Sequence, residues 1–237
     1  MKTKLLVIVP AYNEEQVIAH TLKLLLKELS LLEKKFQIFT EVAVIDDGSK
    51  DKTRLKISKL PVTVLRHRIN RGLGGALGTG IAYAHKTQPD VIVTFDSDGQ
   101  HEPQDIYPLI HPIIEGQKDM VVGSRLLKNQ KMRLDRKLLN MAANIFTYLI
   151  YQIKTTDSQS GLRAFSRKAY QKLNLKTNRM EVSTEFFLQA KQHKFRYGEI
   201  GIKPIYSEYD LSKGQDGVGN LNAINILIKL LFRSFRG

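Results

Sequence analysis

The fold turns on Asp90-Val-Ile-Val-Thr-Phe-Asp96-Ser-Asp98-Gly-Gln100-His101. The short, β-branched apolar run, with Val91, Ile92, Val93 and Phe95, reads as a buried strand. It ends in two carboxylates one residue apart. Asp96 and Asp98 therefore fall at or just past the carboxyl end of that strand, where open α/β sheets take their ligands. Two like charges this close repel unless a cation lies between them. Oxygen donors in an Asp-x-Asp pair suit a hard divalent metal, Mg²⁺ or Mn²⁺, which also holds a substrate's phosphates. The competing reading is a cap for the helix that Pro103 begins.

Strands and helices alternate on either side of this stretch. Residues 5–9, 42–45 and 62–65 read as strands. Residues 14–32 carry Val17, Leu22, Leu25, Leu26 and Leu29 at helical spacing. Residues 51–59 and 74–86 read as helices, the second rich in small residues. Pro103 fits the first turn of a helix running to about residue 115. Residues 120–123 read as a further strand. This alternation predicts an α/β fold with a mainly parallel, Rossmann-like sheet and helices on both faces. Beyond it, residues 125–137 hold six basic residues against Asp135 and read as a mobile basic loop. Helices are expected at 138–153 and 182–192, with a short one ending at 173. Strands are expected at 160–165 and 196–205. Residues 206–219 read as a loop and 220–236 as a last helix. No linker interrupts the chain, so one domain over residues 1–219 with an appended helix is expected.

Composition excludes several classes. There are no cysteines, so disulfides and thiolate metal sites are ruled out. The histidines show no HExxH spacing, which argues against a zinc site. The run at 5–9 is too short for a signal-peptide core, and no stretch reaches the roughly 20 apolar residues that span a bilayer. A cytoplasmic protein is expected. The net charge of +14 fits a lysine-rich surface, nucleic acid, anionic lipid or a polyphosphate substrate, and charge alone does not choose.

The carboxylates do more to choose. The first strand ends Val9-Pro10-Ala11-Tyr12-Asn13-Glu14-Glu15, and the second ends Asp46-Asp47-Gly48-Ser49. Both meet the sheet edge that carries Asp96. Tyr12, Glu14, Asp46, Asp47, Asp96 and Asp98 then share one rim. Taken singly, the first segment could be a helix start and the second a turn. Gly72-Leu-Gly74-Gly75-Ala-Leu77-Gly78 fails the G-x-G-x-x-G pattern, because position 77 is leucine and the segment does not follow the first strand. Close packing of a helix start beside the site is the better reading.

Five motifs in order carry a resemblance. Pro10-Ala-Tyr-Asn-Glu14, Ile45-Asp-Asp-Gly-Ser49-Lys-Asp51, Asn70-Arg-Gly-Leu-Gly74, Asp96-Ser-Asp98-Gly-Gln100 and Val122-Gly-Ser-Arg125 together resemble family-2 glycosyltransferases of the GT-A fold. Asp157-Ser-Gln-Ser-Gly161-Leu-Arg163-Ala-Phe narrows this to something similar to the polyprenyl-phosphate hexosyltransferases, such as the dolichol-phosphate mannose synthases. The resemblance spans about residues 4–219.

It implies a nucleotide-sugar donor, a divalent metal and inverting transfer to a lipid phosphate. By position, Pro10, Ala11, Tyr12 and Glu14 with Asp46 would line the base and ribose pocket, beside Asp47. Asp96, Asp98 and Gln100 would hold Mg²⁺ or Mn²⁺ on the diphosphate. Arg125 and Arg163 would meet phosphate oxygens, as guanidinium forks do. Arg133 or Arg136 would bind the acceptor phosphate, and Asp157 would position or act as base. UDP-glucose and GDP-mannose fit these motifs equally.

The last helix puts Asn222, Asn225, Lys229, Arg233 and Arg236 on one face. Leu221, Ile224, Leu227, Ile228, Leu231 and Phe235 lie opposite. It either packs on its own domain or lies on an anionic membrane surface at the cytoplasmic face. Here the sequence departs from many relatives of this type, which continue into transmembrane helices, so the expected attachment is peripheral, with a separate membrane subunit as an alternative. A glycan, protein or diacylglycerol acceptor is the alternative within the fold. A non-enzymatic basic binder is the remote one. Nucleic acid is not expected as a partner, since no stacked aromatic repeat or known binding motif is present.

Overall fold

Strand β1 (Thr3–Ala11) explains the core, because nearly all of it is buried. In β1, successive side chains face opposite ways. Leu5, Val7 and Val9 pack into one apolar cluster, and Leu6 and Ile8 into another. Both faces of the sheet are therefore covered, as a run without polar alternation demands. The computed structural model describes residues 2–127 and 134–205, the side chains of 134–139 excepted.

On the first face lie α1 (Ile18–Lys35) and α4 (Ile106–Ile114), the latter preceded by a tight turn at Pro103–Asp105. On the second lie α3 (Leu73–Thr87), α6 (Arg167–Tyr170) and α7 (Val182–Gln192). Short α2 (Thr53–Ile57) packs beside α1, and α5 (Leu134–Tyr151) against α7. The remaining strands are β2 (Ile38–Asp46), β3 (Thr63–Arg66), β4 (Val91–Thr94), β5 (Met120–Ser124), β6 (Arg163–Ser166) and β7 (Tyr197–Gly201). The sheet order is β3-β2-β1-β4-β6-β5-β7. Only β6 runs antiparallel to its neighbours β4 and β5.

The order reverses between β1 and β4, which opens a crevice at their carboxyl ends. Because β6 alone runs backwards, its amino end meets that same edge. Residues 10–15, 46–51, 96–101 and 157–163 and Arg125 are thus gathered there. The expected mainly parallel α/β sheet is present.

Boundaries shift for local reasons. β2 is nine residues, not four, because the mixed stretch before Val42 pairs with β1 from Thr3↔Ile38 onward. α1 begins four residues late, because the amides of Glu14 and Glu15 bond to Thr53 Oγ1 and Asp51 Oδ2 instead of turning into the helix. α5 begins at Leu134, so its first turn takes the end of the expected basic loop. β6 and β7 are shorter than expected. The expected loop at 206–219, the last helix and the proposed domain boundary lie outside the described residues.

The glycine-rich start of α3 packs against the backbone of residues 177–178. The Gly75 amide donates to the Asn178 carbonyl (3.3 Å), and a Cβ on Gly74 would overlap the Thr177 carbonyl. Alanine is the better helix former by about 1 kcal/mol, but overpacking against fixed backbone costs about 1–3 kcal/mol. Gly74→Ala should therefore destabilise despite its propensity, lowering Tm by roughly 2–4 °C for each kcal/mol lost. Calorimetry of the two proteins checks this, and an unchanged or raised Tm would contradict it.

Candidate active site

One wall of the crevice is the turn after β1. Asn13 adopts a left-handed conformation (φ 54°) that asparagine tolerates. Its Oδ1 accepts from the Lys50 amide (2.9 Å), and its own amide donates to Ser49 Oγ (3.1 Å). The Lys52 amide donates to Glu15 Oε2 (2.8 Å). The first two motifs are thus laced to each other, which turns Pro10, Ala11, Tyr12 and Glu14 to the cleft.

The two acids after β2 shape this wall from beneath. Asp46 is fully buried; its Oδ1 accepts from the Ser49 amide (2.9 Å), and Arg66 Nε stands 3.6 Å from Oδ2. It lies behind the cleft lining rather than in it. Asp47 lines the cleft, yet its oxygens hold the opposite loop. Oδ1 accepts from His67 Nδ1 (2.6 Å) and the Arg71 amide (2.9 Å), and Oδ2 from the Gly72 amide (2.7 Å). His67 Nε2 meets Thr79 Oγ1 on α3 (2.8 Å). Gly72 has φ 86°, a conformation that favours glycine. This anchored loop brings Asn70, Gly72 and Leu73 to the cleft, with Ala76 behind them.

The floor is Asp96, Ser97 and Asp98, and Met180 closes the far side. The cleft encloses about 360 Å³. A third of the Asp96 side chain is exposed, and its Oδ2 meets His101 Nε2 at 3.0 Å. Burial pushes the Asp96 carboxyl up, but the His101 hydrogen bond and the charges of His101, Arg163 and Arg125 outweigh it and hold the group below its ordinary value. Gly161 presses its backbone on Asp96, where a Cβ would overlap the carboxylate. Asp98 Oδ1 accepts from the Gln100 amide (2.9 Å), bending the loop back through Gly99 (φ 83°). The Gln100 carbonyl accepts from the Ile205 amide (3.0 Å).

Beside the floor stands an ion pair. Asp157 is fully buried and grips Arg125 three times: Oδ2 accepts from the Arg125 amide (3.0 Å) and Nε (2.7 Å), and Oδ1 from Nη2 (2.8 Å). Asn140 Nδ2 adds a fourth bond (2.8 Å). Burial raises the Asp157 carboxyl, but Arg125 and Asn140 bring it below the ordinary 3.8. Arg163 lies deeper, only 1% exposed, with Nη2 donating to the Ser158 carbonyl (3.3 Å) and its guanidinium 5.0 Å from the Phe186 ring centroid. Burial draws it down to about 10, while Asp96 and Asp157 pull it up. Arg163 therefore supports the floor from behind and is absent from the cleft lining.

The sequence brought Pro10, Ala11, Tyr12, Glu14, Asp47, Asp96 and Asp98 to one cleft, as expected. Arg133 lies outside the described residues, and the Arg136 side chain does too. His101 and His67 were missed. His101 follows the acidic pair at a fixed short spacing, which is a readable signal. His67 has none, since only tertiary folding brings it to Asp47. Among the described residues no three His, Cys, Asp or Glu side chains cluster as a complete metal site. Asp96 and Asp98 offer two hard oxygen donors, so substrate oxygens would complete any shell.

A doubly wound sheet with a carboxylate-floored crevice at its switch point is the GT-A architecture. Glucosyl-3-phosphoglycerate synthase from Mycobacterium tuberculosis, solved with Mn²⁺, UDP and glucosyl-3-phosphoglycerate, has the same fold: TM-score 0.68, covering 96% of this chain and 79% of that one, at 20% identity. The model of glycosyl transferase family 2 matches residues 6–173, and the chain belongs to that family. An uncharacterized protein of Methanocaldococcus jannaschii is 44% identical over 237 residues, covering 98% of this chain and 93% of its own. The UDP-N-acetylglucosamine–dolichyl-phosphate N-acetylglucosaminyltransferase of Methanococcus voltae is 38% identical over 230 residues, covering 87% and 88%.

The Asp157–Arg125 pair sets a pH dependence. A carboxyl depressed in the folded state adds stability above its unfolded value and loses it as pH falls through the folded one. For Asp157 that loss lies below 3.8. Asp157→Asn should be less stable than wild type at pH 7 and lose less on acidification from pH 5 to 2. Denaturant midpoints across that range read it; parallel slopes would count against the pair.

Proposed function

We propose that this glycosyltransferase moves a hexosyl group from a nucleoside-diphosphate sugar to a polyprenyl phosphate, with inversion at the anomeric carbon. The observation that carries the reading is the convergence of Asp96 and Asp98 on a cleft whose opposite wall is Pro10, Ala11, Tyr12 and Glu14. The likeness to the Methanococcus voltae enzyme supports a uridine donor over GDP-mannose and a lipid phosphate as acceptor.

In this reading the β1 turn and the Asn70–Leu73 wall hold the base and ribose. Asp96 and Asp98, with Gln100 near them, would hold Mg²⁺ or Mn²⁺. When bound, the metal neutralises charge growing on the leaving diphosphate. Asp96, fixed by His101 and Gly161, presents its carboxylate without rearrangement. Arg125, outside the cleft lining, keeps an exposed fraction of its side chain and offers a guanidinium to phosphate oxygens of the acceptor. The acceptor's phosphate oxygen bonds to the anomeric carbon as the bond to the diphosphate oxygen breaks on the opposite side. A phosphate monoester with a second pKa of about 6 is already largely ionised at neutral pH, so no base is required. Asp157 then acts by positioning, since Arg125 and Asn140 occupy its oxygens. Arg163 acts behind the floor, and Arg133 or Arg136 on the acceptor. The basic chain sits peripherally on an anionic membrane surface at the cytoplasmic face, where the acceptor's prenyl tail lies; a separate membrane subunit would be a second means of attachment.

The test is transfer of labelled sugar from UDP-N-acetylglucosamine, UDP-glucose or GDP-mannose to undecaprenyl and dolichyl phosphate, with Mn²⁺. A uridine donor and a lipid product are expected, and Asp98→Ala should cost about 10²- to 10³-fold in turnover while remaining folded. Full turnover by that variant would overturn the metal assignment. Transfer only to glycan, protein or diacylglycerol would overturn the acceptor.

A further inference from the structure

The segment between α5 and β6, residues 152–162, holds little regular structure, yet Asp157 must be placed to within a bond length to grip Arg125. The fixing group sits on the edge strand. Glu199 lies on β7, opposite Val122 of β5 in the parallel register. Its Oε1 accepts from Thr155 Oγ1 (2.6 Å), the Thr156 amide (2.8 Å) and the Tyr197 hydroxyl (2.7 Å). Its Oε2 accepts from Thr156 Oγ1 (3.0 Å). One side chain thus holds two consecutive residues directly before Asp157.

The surroundings complete the clamp. The Tyr197 hydroxyl also lies 3.0 Å from Thr155 Oγ1, and Thr155 Oγ1 accepts from the Asp157 amide (3.3 Å). Burial and the neighbouring Glu199 push the Tyr197 phenol up, so it stays a donor. Thr156 Oγ1 reaches Ser124 Oγ at 2.6 Å, directly before Arg125. From the other side, Asn144 Nδ2 donates to the Thr156 carbonyl (2.6 Å), and Asn144 Oδ1 accepts from the Ser158 amide (2.9 Å). The segment is held by a charged acceptor on one flank and an amide on the other. Charged acceptors make the shorter and stronger bonds.

We infer that Glu199 is a positioning residue for sugar transfer, fixing Thr155 and Thr156 so that Asp157 presents the Arg125 guanidinium to the acceptor phosphate. Its functional part rests on the acceptor reading above; its structural part does not. Among the described residues, Glu199's side-chain hydrogen bonds go to Thr155, Thr156 and Tyr197, none of which lines the donor cleft, so its loss separates the two substrates. Glutamine at this position keeps one acceptor oxygen but turns an NH₂ towards one of the threonine donors, so it should be intermediate.

The experiment uses Glu199→Ala, Glu199→Gln and each combined with Arg125→Ala. Misplacement of a supporting group typically costs about 10- to 100-fold. Glu199→Ala should raise the acceptor KM by about that factor, while UDP affinity by calorimetry stays within about twofold. Adding it to Arg125→Ala should cost nothing further, because both act through one group. Amide hydrogen exchange gives a readout without acceptor: the Arg125 amide, which donates to Asp157, should exchange faster in both Glu199 variants, while those of Arg71 and Gly72 do not change. Multiplying losses in the double variant, equal weakening of UDP and acceptor, or unchanged exchange at Arg125 would overturn the proposal. If wild type transfers to no polyprenyl phosphate, the acceptor reading fails, and exchange at Arg125 still decides whether the clamp exists. If the alanine variant does not fold, the glutamine variant carries the same comparisons.

Discussion

A carboxylate taken out of water must find donors or a cation. That constraint organises the carboxyl edge of this sheet. The topology brings Glu14, Asp46, Asp47, Asp96, Asp98 and Asp157 to one rim. Left unpaired, so many like charges would drive the loops apart. The structure pairs the buried ones inward. Asp47 takes His67 and two loop amides, and Asp157 takes Arg125 and Asn140. Arg163, buried beneath, pairs electrostatically with both Asp96 and Asp157. What stays turned to the cleft is the Asp96–Asp98 floor, with Glu14 on the wall opposite.

This division gives the acids two kinds of work. Asp47 and Asp157 shape loops, and their value lies in what they hold: the Asn70–Leu73 wall and the Arg125 guanidinium. Removing one partner of such a pair strands a buried charge, which costs more than the pair contributes. Asp96 and Asp98 face the ligand side. The Asp96 carboxylate is held by the His101 hydrogen bond to Oδ2 and by the Gly161 backbone packed against it. In the proposed reading, a floor fixed in this way is preorganised for a diphosphate rather than assembled by it. The glycine-rich start of α3 serves the same end, letting one backbone rest on another beside the cleft.

The sequence made the architecture legible where packing is local and two-sided. The β1 run, α7 and the acidic turn after β4 follow from periodicity and punctuation alone. The ends of three strands pointed to one rim, and the fold gathers them there. The misreadings have one cause: side chains whose partners are distant in sequence. The late start of α1 depends on Asp51 and Thr53, about 36–39 residues on. The resemblance assigns Arg163 to phosphate oxygens by position, yet it is 1% exposed and outside the cleft lining. Only the antiparallel placement of β6 buries it between two acids. Glu199 and His67 carry no local signature, because each meets its partners only through the sheet order.

The account stands or falls on the Asp96–Asp98 floor holding a cation against a diphosphate. Anomalous diffraction from crystals grown with Mn²⁺ and UDP tests this directly. A manganese peak within coordination reach of Asp96 and Asp98, with diphosphate oxygens on its far side, is the result the account predicts. Manganese bound away from both carboxylates, or UDP seated without contact to that loop, would contradict it.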